Sequence, residues 1–341
     1  MAAKWLYWFE ELNSGDNDRV GKKCANLGEL TRMGLRVPPG FAVSVEGYER
    51  FMEETGAGEE IRKYVRDNRD HLHEVKSQVA ASRWIRAVIE SRPMPDGMLE
   101  EINTYYDALK AREGNGELSV AVRSSGAVSM PGQMESYLNV HRRDLVIQRI
   151  IQVWGSAFTT RAIAFRLEKG MEMEKAPIGV AVLKMVEAKS AGVVLTVLPT
   201  TGDLTKVVVE GNWGLGESVV SGEINPDQFI VDKESGEVEA TVSRKTKMVV
   251  YHGSGTITTD VPDDLQGKPC IDPEELREIV RISREVEKYF QVPQDMEWVV
   301  DRSQPFPANL YWVQARPAKY AQVKEKEAEY LAELMTRLFK F

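Results

Sequence analysis

Residues 295–317 read DMEWVVDRSQPFPANLYWVQARP, and the fold class turns on how this stretch is read. Both flanks carry the β-branched and aromatic residues of strands, and the Pro/Asn-rich run between them predicts a hairpin. Period-two alternation sends Asp295 and Glu297 to one face and Met296, Trp298 and Val300 to the other. On the second strand the same alternation groups Trp312, Gln314 and Arg316. If the two polar faces coincide, two carboxylates, an amide and a guanidinium converge on one surface.

Such a grouping has a chemical use. The hard oxygens of Glu297 and Gln314 suit Mg²⁺, which keeps waters and takes its remaining ligands from substrate phosphates. Arg316 offers a fixed fork of donors for a phosphate oxygen. An ordinary half-exposed hairpin with a polar face has the same pattern, so other stretches must decide.

At 341 residues the chain exceeds what one core usually organises, which predicts two lobes. Hydrophobic content of 43% with 28% charged residues is that of a soluble globular protein. A net charge of −8 argues against a generic polyanion surface, and nucleic acid would want a basic stripe. Cys24 and Cys270 are too few for a disulfide framework and fit reduced thiols in a cytoplasm. The N-terminal apolar patch runs at once into acids, unlike a signal peptide, and no uncharged run approaches membrane-spanning length. The expectation is a soluble, cytoplasmic protein with neither membrane nor nucleic acid as partner.

Working outward along the chain, residues 19–41 read RVGKKCANLGELTRMGLRVPPGF. A short helix is predicted over Cys24–Met33, stopped by Gly34 in the C-cap place. Gly21, Lys22 and Lys23 just ahead of it suit a phosphate approach, and equally a solvated surface. Residues 46–113 are charged and helical in pattern, broken at Pro93 and Pro95, with His71 and His73 read as surface residues. Residues 118–140 read LSVAVRSSGAVSMPGQMESYLNV. A strand over Leu118–Val122 delivers Arg123, Ser124 and Ser125 into a loop with Gly126 and Gly132, whose small residues allow close backbone approach to an anion. One long amphipathic helix is predicted over 141–169, ended by Gly170. Short strands follow Pro177, and Asp272, Pro273 and Glu275 open a capped helix leading into the hairpin. The tail from Ala318 reads as a further amphipathic helix.

Taken together, these pieces resemble the nucleotide-binding domain of the phosphoenolpyruvate synthase and pyruvate phosphate dikinase family. The matching segments are VGKKCANLGEL, GLRVPPGFAVS, VAVRSSGAVSMPGQMESYLNV, SAGVVLTVLPTTGD, NWGLGESVVSGEINPDQFIVD and DMEWVVD…LYWVQARP, in family order. The resemblance implies an α+β fold of the ATP-grasp type, with the nucleotide bound between two lobes. Those lobes would be 1–175 and 176–317, with 318–341 as a C-terminal helix. It implies ATP and Mg²⁺ as cofactors. Lys23, Arg123 and Arg316 would serve the phosphates, with Ser124, Gly126, Gly132 and Gln133 in the covering loop. Glu297 and Gln314 would hold the metal, with Asp295 beside them. The backbone of Lys184, Met185 and Val186 would read the adenine.

Two positions depart from the family pattern. Lys22 stands where a second glycine is usual; if that position needs φ > 0, lysine costs on the order of 1–2 kcal/mol. Leu183 stands where relatives often carry Gln. The family also passes the phosphoryl group to a histidine on a separate domain, and none of His71, His73, His141 or His252 has that histidine's surroundings. The resemblance therefore implies the ATP half of a split phosphotransferase. A partner subunit would carry the phosphohistidine and the acceptor site, as in the ATP-binding subunit of phenylphosphate synthase. The alternatives are a non-catalytic nucleotide sensor, and an isolated ATP-binding domain of a phosphoenolpyruvate synthase or antibiotic phosphotransferase.

Overall fold

The computed structural model describes residues 4–321 except 115, 128–133, 221 and 223. Helices and antiparallel strands mix throughout, an α+β architecture. The described chain divides into two compact units. The first takes the residues up to Val186 together with Tyr251–Ile257; the second takes Glu187–Val250 and the residues from Thr258 on.

The first unit is built on β1 (Leu6–Trp8), β2 (Gly40–Val43), β3 (Val120–Gly126), β4 (Ser136–Val140) and β5 (Ile178–Lys184), in the sheet order β1-β2-β5-β3-β4. Its helices are α1 (Asn17–Arg32), α2 (Val45–Glu54), α3 (Ala57–Asn68), α4 (Val75–Glu90), α5 (Asp96–Arg112), α6 (Arg143–Ser156) and α7 (Thr160–Glu168). The strands alternate in residue size. Phe41, Val43, Val120, Val122, Val180 and Val182 join a large core with the helical residues Phe51, Ile85, Ile102, Ile150 and Trp154. Ala42, Ala121 and Ala181 point the other way, into a smaller core with Val20, Cys24 and Leu27 of α1. Methyl-sized side chains on that face let α1 lie close to the sheet, and so bring its first turn near the strand backbone.

In the second unit, β6 (Ala188–Leu195), β7 (Lys206–Trp213), β8 (Asp227–Asp232), β9 (Val238–Thr241), β12 (Gln294–Asp301) and β13 (Leu310–Pro317) form a sheet in the order β13-β12-β6-β7-β8-β9. β10 (Lys247–His252) and β11 (Gly255–Asp260) pair as a separate hairpin, whose tip, Tyr251–Ile257, counts with the first unit. The short α8 (Glu217–Val220) follows β7, and α9 (Pro273–Phe290) packs on β12, β6 and β7. Asp272 caps α9 by accepting from the N–H groups of Glu274 and Glu275, and Glu275 returns a bond to the Asp272 N–H, the predicted box. A fully buried ion pair ties this unit together. Lys245 Nζ lies 2.6 Å from Asp227 Oδ1, and Asp227 also accepts from the N–H groups of Ser243 and Cys270.

Three local expectations are corrected. Residues 141–169 form two helices, because Thr159 caps a new one by accepting from the Ala162 N–H at 3.2 Å. The strand predicted to end at Val122 continues through Gly126, held by register pairs from Arg123↔Ala181 to Gly126↔Ile178. Gly/Ser composition reads as loop only until a neighbouring strand pairs with it. The helix predicted from Cys24 begins at Asn17 and kinks at Gly21. The tail helix lies beyond residue 321, outside the described residues.

Candidate functional site

In the first unit the candidate phosphate residues meet where α1 crosses β3. Gly21 has φ +76°, and α1 runs regularly only after it, so Lys22, Lys23 and Cys24 form the first turn of the regular helix. The positive φ that was a concern at position 22 falls on Gly21, and Lys22 sits exposed at negative φ without that strain. A Cβ on Gly21 would lie 1.9 Å from the Ser125 carbonyl oxygen, so only glycine permits this approach. The Cys24 N–H donates to Ser125 Oγ at 3.1 Å, pinning the helix start to the strand. Lys23 and Arg123 are both half-buried, and both act on the buried Cys24 thiol. Burial pushes that thiol up to about 12, against the lowering effect of a Ser125 hydrogen bond and the two cations. Ser124 is buried, Gly126 is half-buried, and Gly132 and Gln133 lie outside the described residues.

The Lys184–Val186 segment leaves the end of β5. Arg123 pairs with Ala181 and Val120 with Lys184, so the segment begins about 10 Å along the strand from Arg123. The Lys184 N–H donates to the Pro39 carbonyl and the Met185 N–H to the Ser119 carbonyl, each at 2.9 Å. The Lys184 ammonium is paired with Glu113, and the Tyr251 hydroxyl donates to the Val186 carbonyl. Leu183 is buried in the small core beneath α1. Sequence reasoning misses Tyr251, which sits on a hairpin remote in the chain, and the role of Ser125 in seating the helix start.

In the second unit the β12–β13 register sets Glu297 opposite Gln314 and Asp295 opposite Arg316. Directly opposed residues share a sheet face, so these four side chains form one polar patch. Arg316 donates from Nε to Asp295 Oδ2 at 2.9 Å, with Nη2 at 2.8 Å from the same oxygen. Trp312 is not on that face. A bulge makes the register step over Val313, so Trp312 pairs with Trp298 and both are fully buried. The alternation that grouped Trp312 with Gln314 misses the extra residue, and the burial of two indoles enforces it. The same register row continues through Val193 to Glu210, whose carboxylate accepts from Gln228 at 2.8 Å.

The donor set suits a hard divalent cation. A carboxylate and an amide oxygen occupy part of an octahedral shell and leave the rest for water and phosphate oxygens. Among the described residues no three His, Cys, Asp or Glu side chains gather into a cage that would hold a metal alone. The cluster of Gly21, Lys23, Arg123 and Ser124 likewise suits a polyanion, with small residues and a helix start beside two cations.

Residues 17–336 match the family described as pyruvate phosphate dikinase, AMP/ATP-binding domain, and the chain belongs to that family. It is thus an ATP-binding domain of a family of ATP-dependent phosphotransferases. Among curated proteins it is 37% identical to a probable phosphoenolpyruvate synthase of Staphylothermus marinus, over 97% of this chain and 43% of the relative. It is 35% identical to the probable enzyme of Methanocaldococcus jannaschii, over 95% and 27%. It is 33% identical to the phosphoenolpyruvate synthase of Aeropyrum pernix, over 96% and 44%. The chain spans less than half the length of these relatives. Among the described residues no helix is long and apolar enough to cross a membrane.

Proposed function

We propose that this chain binds Mg-ATP and donates a phosphoryl or pyrophosphoryl group to a histidine outside its 341 residues, for delivery to a further acceptor. The observation that carries this reading is the β12–β13 register, which opposes Glu297 to Gln314 and Asp295 to Arg316. Glu297 and Gln314 hold Mg²⁺, which supplies charge neutralisation at the phosphates when bound. Asp295 takes the Nε and Nη2 edge of Arg316, fixing the plane of the guanidinium so that its remaining edge meets a phosphate oxygen. Lys23 and Arg123 hold further phosphate oxygens, and the Lys184–Val186 backbone holds the adenine. The fold on this reading is of the ATP-grasp type, with 1–175 and 176–317 as its lobes. Catalysis is positioning and charge stabilisation, and the attacking imidazole brings its own lone pair, so the chain needs no general base.

The in-chain histidines support an acceptor from elsewhere. His71 is exposed beside Glu74, and His141, just after β4, lies 3.4 Å from Glu117, so each stands beside a carboxylate. A partner subunit bearing the histidine, in a phenylphosphate synthase-like arrangement with phenol as acceptor, is one form of this proposal. The relatives' names favour a second form, in which the domain serves a phosphoenolpyruvate synthase and the final acceptor is pyruvate.

The test is to incubate the chain with Mg²⁺ and ATP labelled at the β-phosphate, with and without a protein bearing the candidate histidine. AMP and histidine-bound label that appear only with both proteins support the transfer. Adding phenol or pyruvate then distinguishes the two acceptors. Tight ATP binding with no turnover in any mixture would replace the transferase reading with that of a nucleotide sensor.

A further inference from the structure

Away from the residues assigned to ATP, the first unit buries a positive charge with no acid beside it among the described residues. Arg166 lies in α7 at 2% exposure, and its Nε and Nη2 make no hydrogen bond among the described residues. Its guanidinium carbon sits 4.9 Å from the centre of the Phe158 ring, a favourable contact that satisfies none of the N–H groups. Among the described residues, the ionisable side chain that acts on it is the Tyr48 phenol. Burial pulls the guanidinium down to about 10, so it remains charged at neutral pH.

Two other orphaned donors belong to the same cluster. Among the described residues the Tyr48 hydroxyl is buried without a hydrogen-bond partner, and so is Trp154 Nε1. The Tyr48 and Trp154 rings lie 6.1 Å apart, with Phe51 packed 4.9 Å from Trp154. α2, α6 and α7 thus contribute a phenol, an indole N–H and a guanidinium to neighbouring aromatic contacts, Tyr48 against Trp154 and Arg166 over Phe158, and among the described residues no carboxylate is paired with the guanidinium. Guanidinium and indole only donate. Water placed among them would bring two hydrogens of its own in need of acceptors, whereas an anion only accepts. A buried charge left without counter-charge is among the most unfavourable arrangements in a protein interior.

We propose that Arg166, Tyr48 and Trp154 form a buried site for one small monovalent anion of the halide class. One fixed positive charge matches one negative charge, and the surrounding rings of Phe51 and Phe158 favour a spherical ion over a larger oxyanion. The ion neutralises Arg166 and links α2, α6 and α7.

The test measures thermal unfolding of the full chain in sodium chloride mixed with sodium gluconate at constant ionic strength. A ligand bound only by the folded state should raise Tm by roughly 2–5 °C for each tenfold increase in chloride above its dissociation constant. Tyr48→Phe, which removes one donor and keeps the ring, should need at least about fivefold more chloride for the same rise, on the scale of one lost hydrogen bond to a charged group. Arg166→Met should abolish the response. Crystals grown in bromide should show an anomalous peak beside the Arg166 guanidinium. A Tm indifferent to chloride, an undiminished response in Tyr48→Phe, or bromide found only at the surface would overturn the proposal. The Tyr48 variant and the bromide data decide it even if Arg166→Met does not fold.

Discussion

Replacing Gly21 by alanine tests how the start of α1 is seated on β3, and Gly34→Ala supplies the internal control. Both glycines have left-handed backbones, with φ of +76° and +80°. A methyl group at Gly34 would meet nothing within 4 Å, so its cost is the left-handed penalty alone, about 1–2 kcal/mol. At Gly21 the methyl carbon would lie 1.9 Å from the Ser125 carbonyl oxygen, roughly 1.5 Å short of ordinary contact. A strand carbonyl paired in a sheet cannot turn aside, so the helix start must shift, adding about 1–3 kcal/mol. Gly21→Ala should therefore destabilise by about 2–5 kcal/mol and exceed Gly34→Ala by about 1–3 kcal/mol. The entropy that alanine removes from the unfolded chain is common to both and cancels. Urea titrations of the two variants give the difference, and calorimetric titration with ATP should show weakened binding only for Gly21→Ala, since the shift carries Lys23 with it. Equal destabilisation of the two variants, or undisturbed ATP binding in Gly21→Ala, would refute the seating.

Glu297→Ala should abolish nucleotide turnover while moving the urea midpoint little, because the side chain is half-exposed on the hairpin; a fully active variant would sink the metal assignment. Lys245→Met leaves Asp227 charged, fully buried and unpaired, and should cost about 3–5 kcal/mol in the same urea assay. The Cys24 thiol, pushed by burial from 9.0 to about 12, stays protonated in the folded state while the unfolded thiol ionises above pH 9. Its contribution is therefore complete below pH 9 and is lost as pH rises toward 12, at about 1.4 kcal/mol per unit. Cys24→Ala should flatten that part of the pH–stability profile, read as the difference in urea midpoints between pH 8 and pH 10.

Where local chemistry sets the structure, the sequence is legible. The α9 start is specified by Asp272, Pro273 and Glu275 acting within four residues, and Gly170 takes the predicted left-handed stop. The hairpin at 295–317 is announced by its aromatic and β-branched flanks. What the sequence hides depends on partners remote in the chain. Arg123–Gly126 are strand because β5 pairs with them, and no local signal says so. The left-handed residue falls on Gly21 because Ser125, a hundred residues away, occupies the space a side chain would need. The break after Ser156 rests on a single threonine cap inside a continuous apolar pattern. On the candidate site, residue types were readable from the sequence, whereas the opposition of Glu297 to Gln314 needed the register.

Val313, the extra residue at the β12–β13 bulge, acts as a phase shifter in β13. Upstream of it the strand keeps its tryptophan with the interior, and downstream it turns Gln314 and Arg316 to the opposite face without any change in direction. Loop residues 302–309 lie outside this timing, so their number can vary without exchanging inside for outside. A deletion at Val313 could not be absorbed in the same way: it would offer either a tryptophan to solvent or an arginine to the core. In comparing sequences of this family, gaps belong in that loop, and an alignment that opens one between Trp312 and Gln314 has misplaced the hairpin.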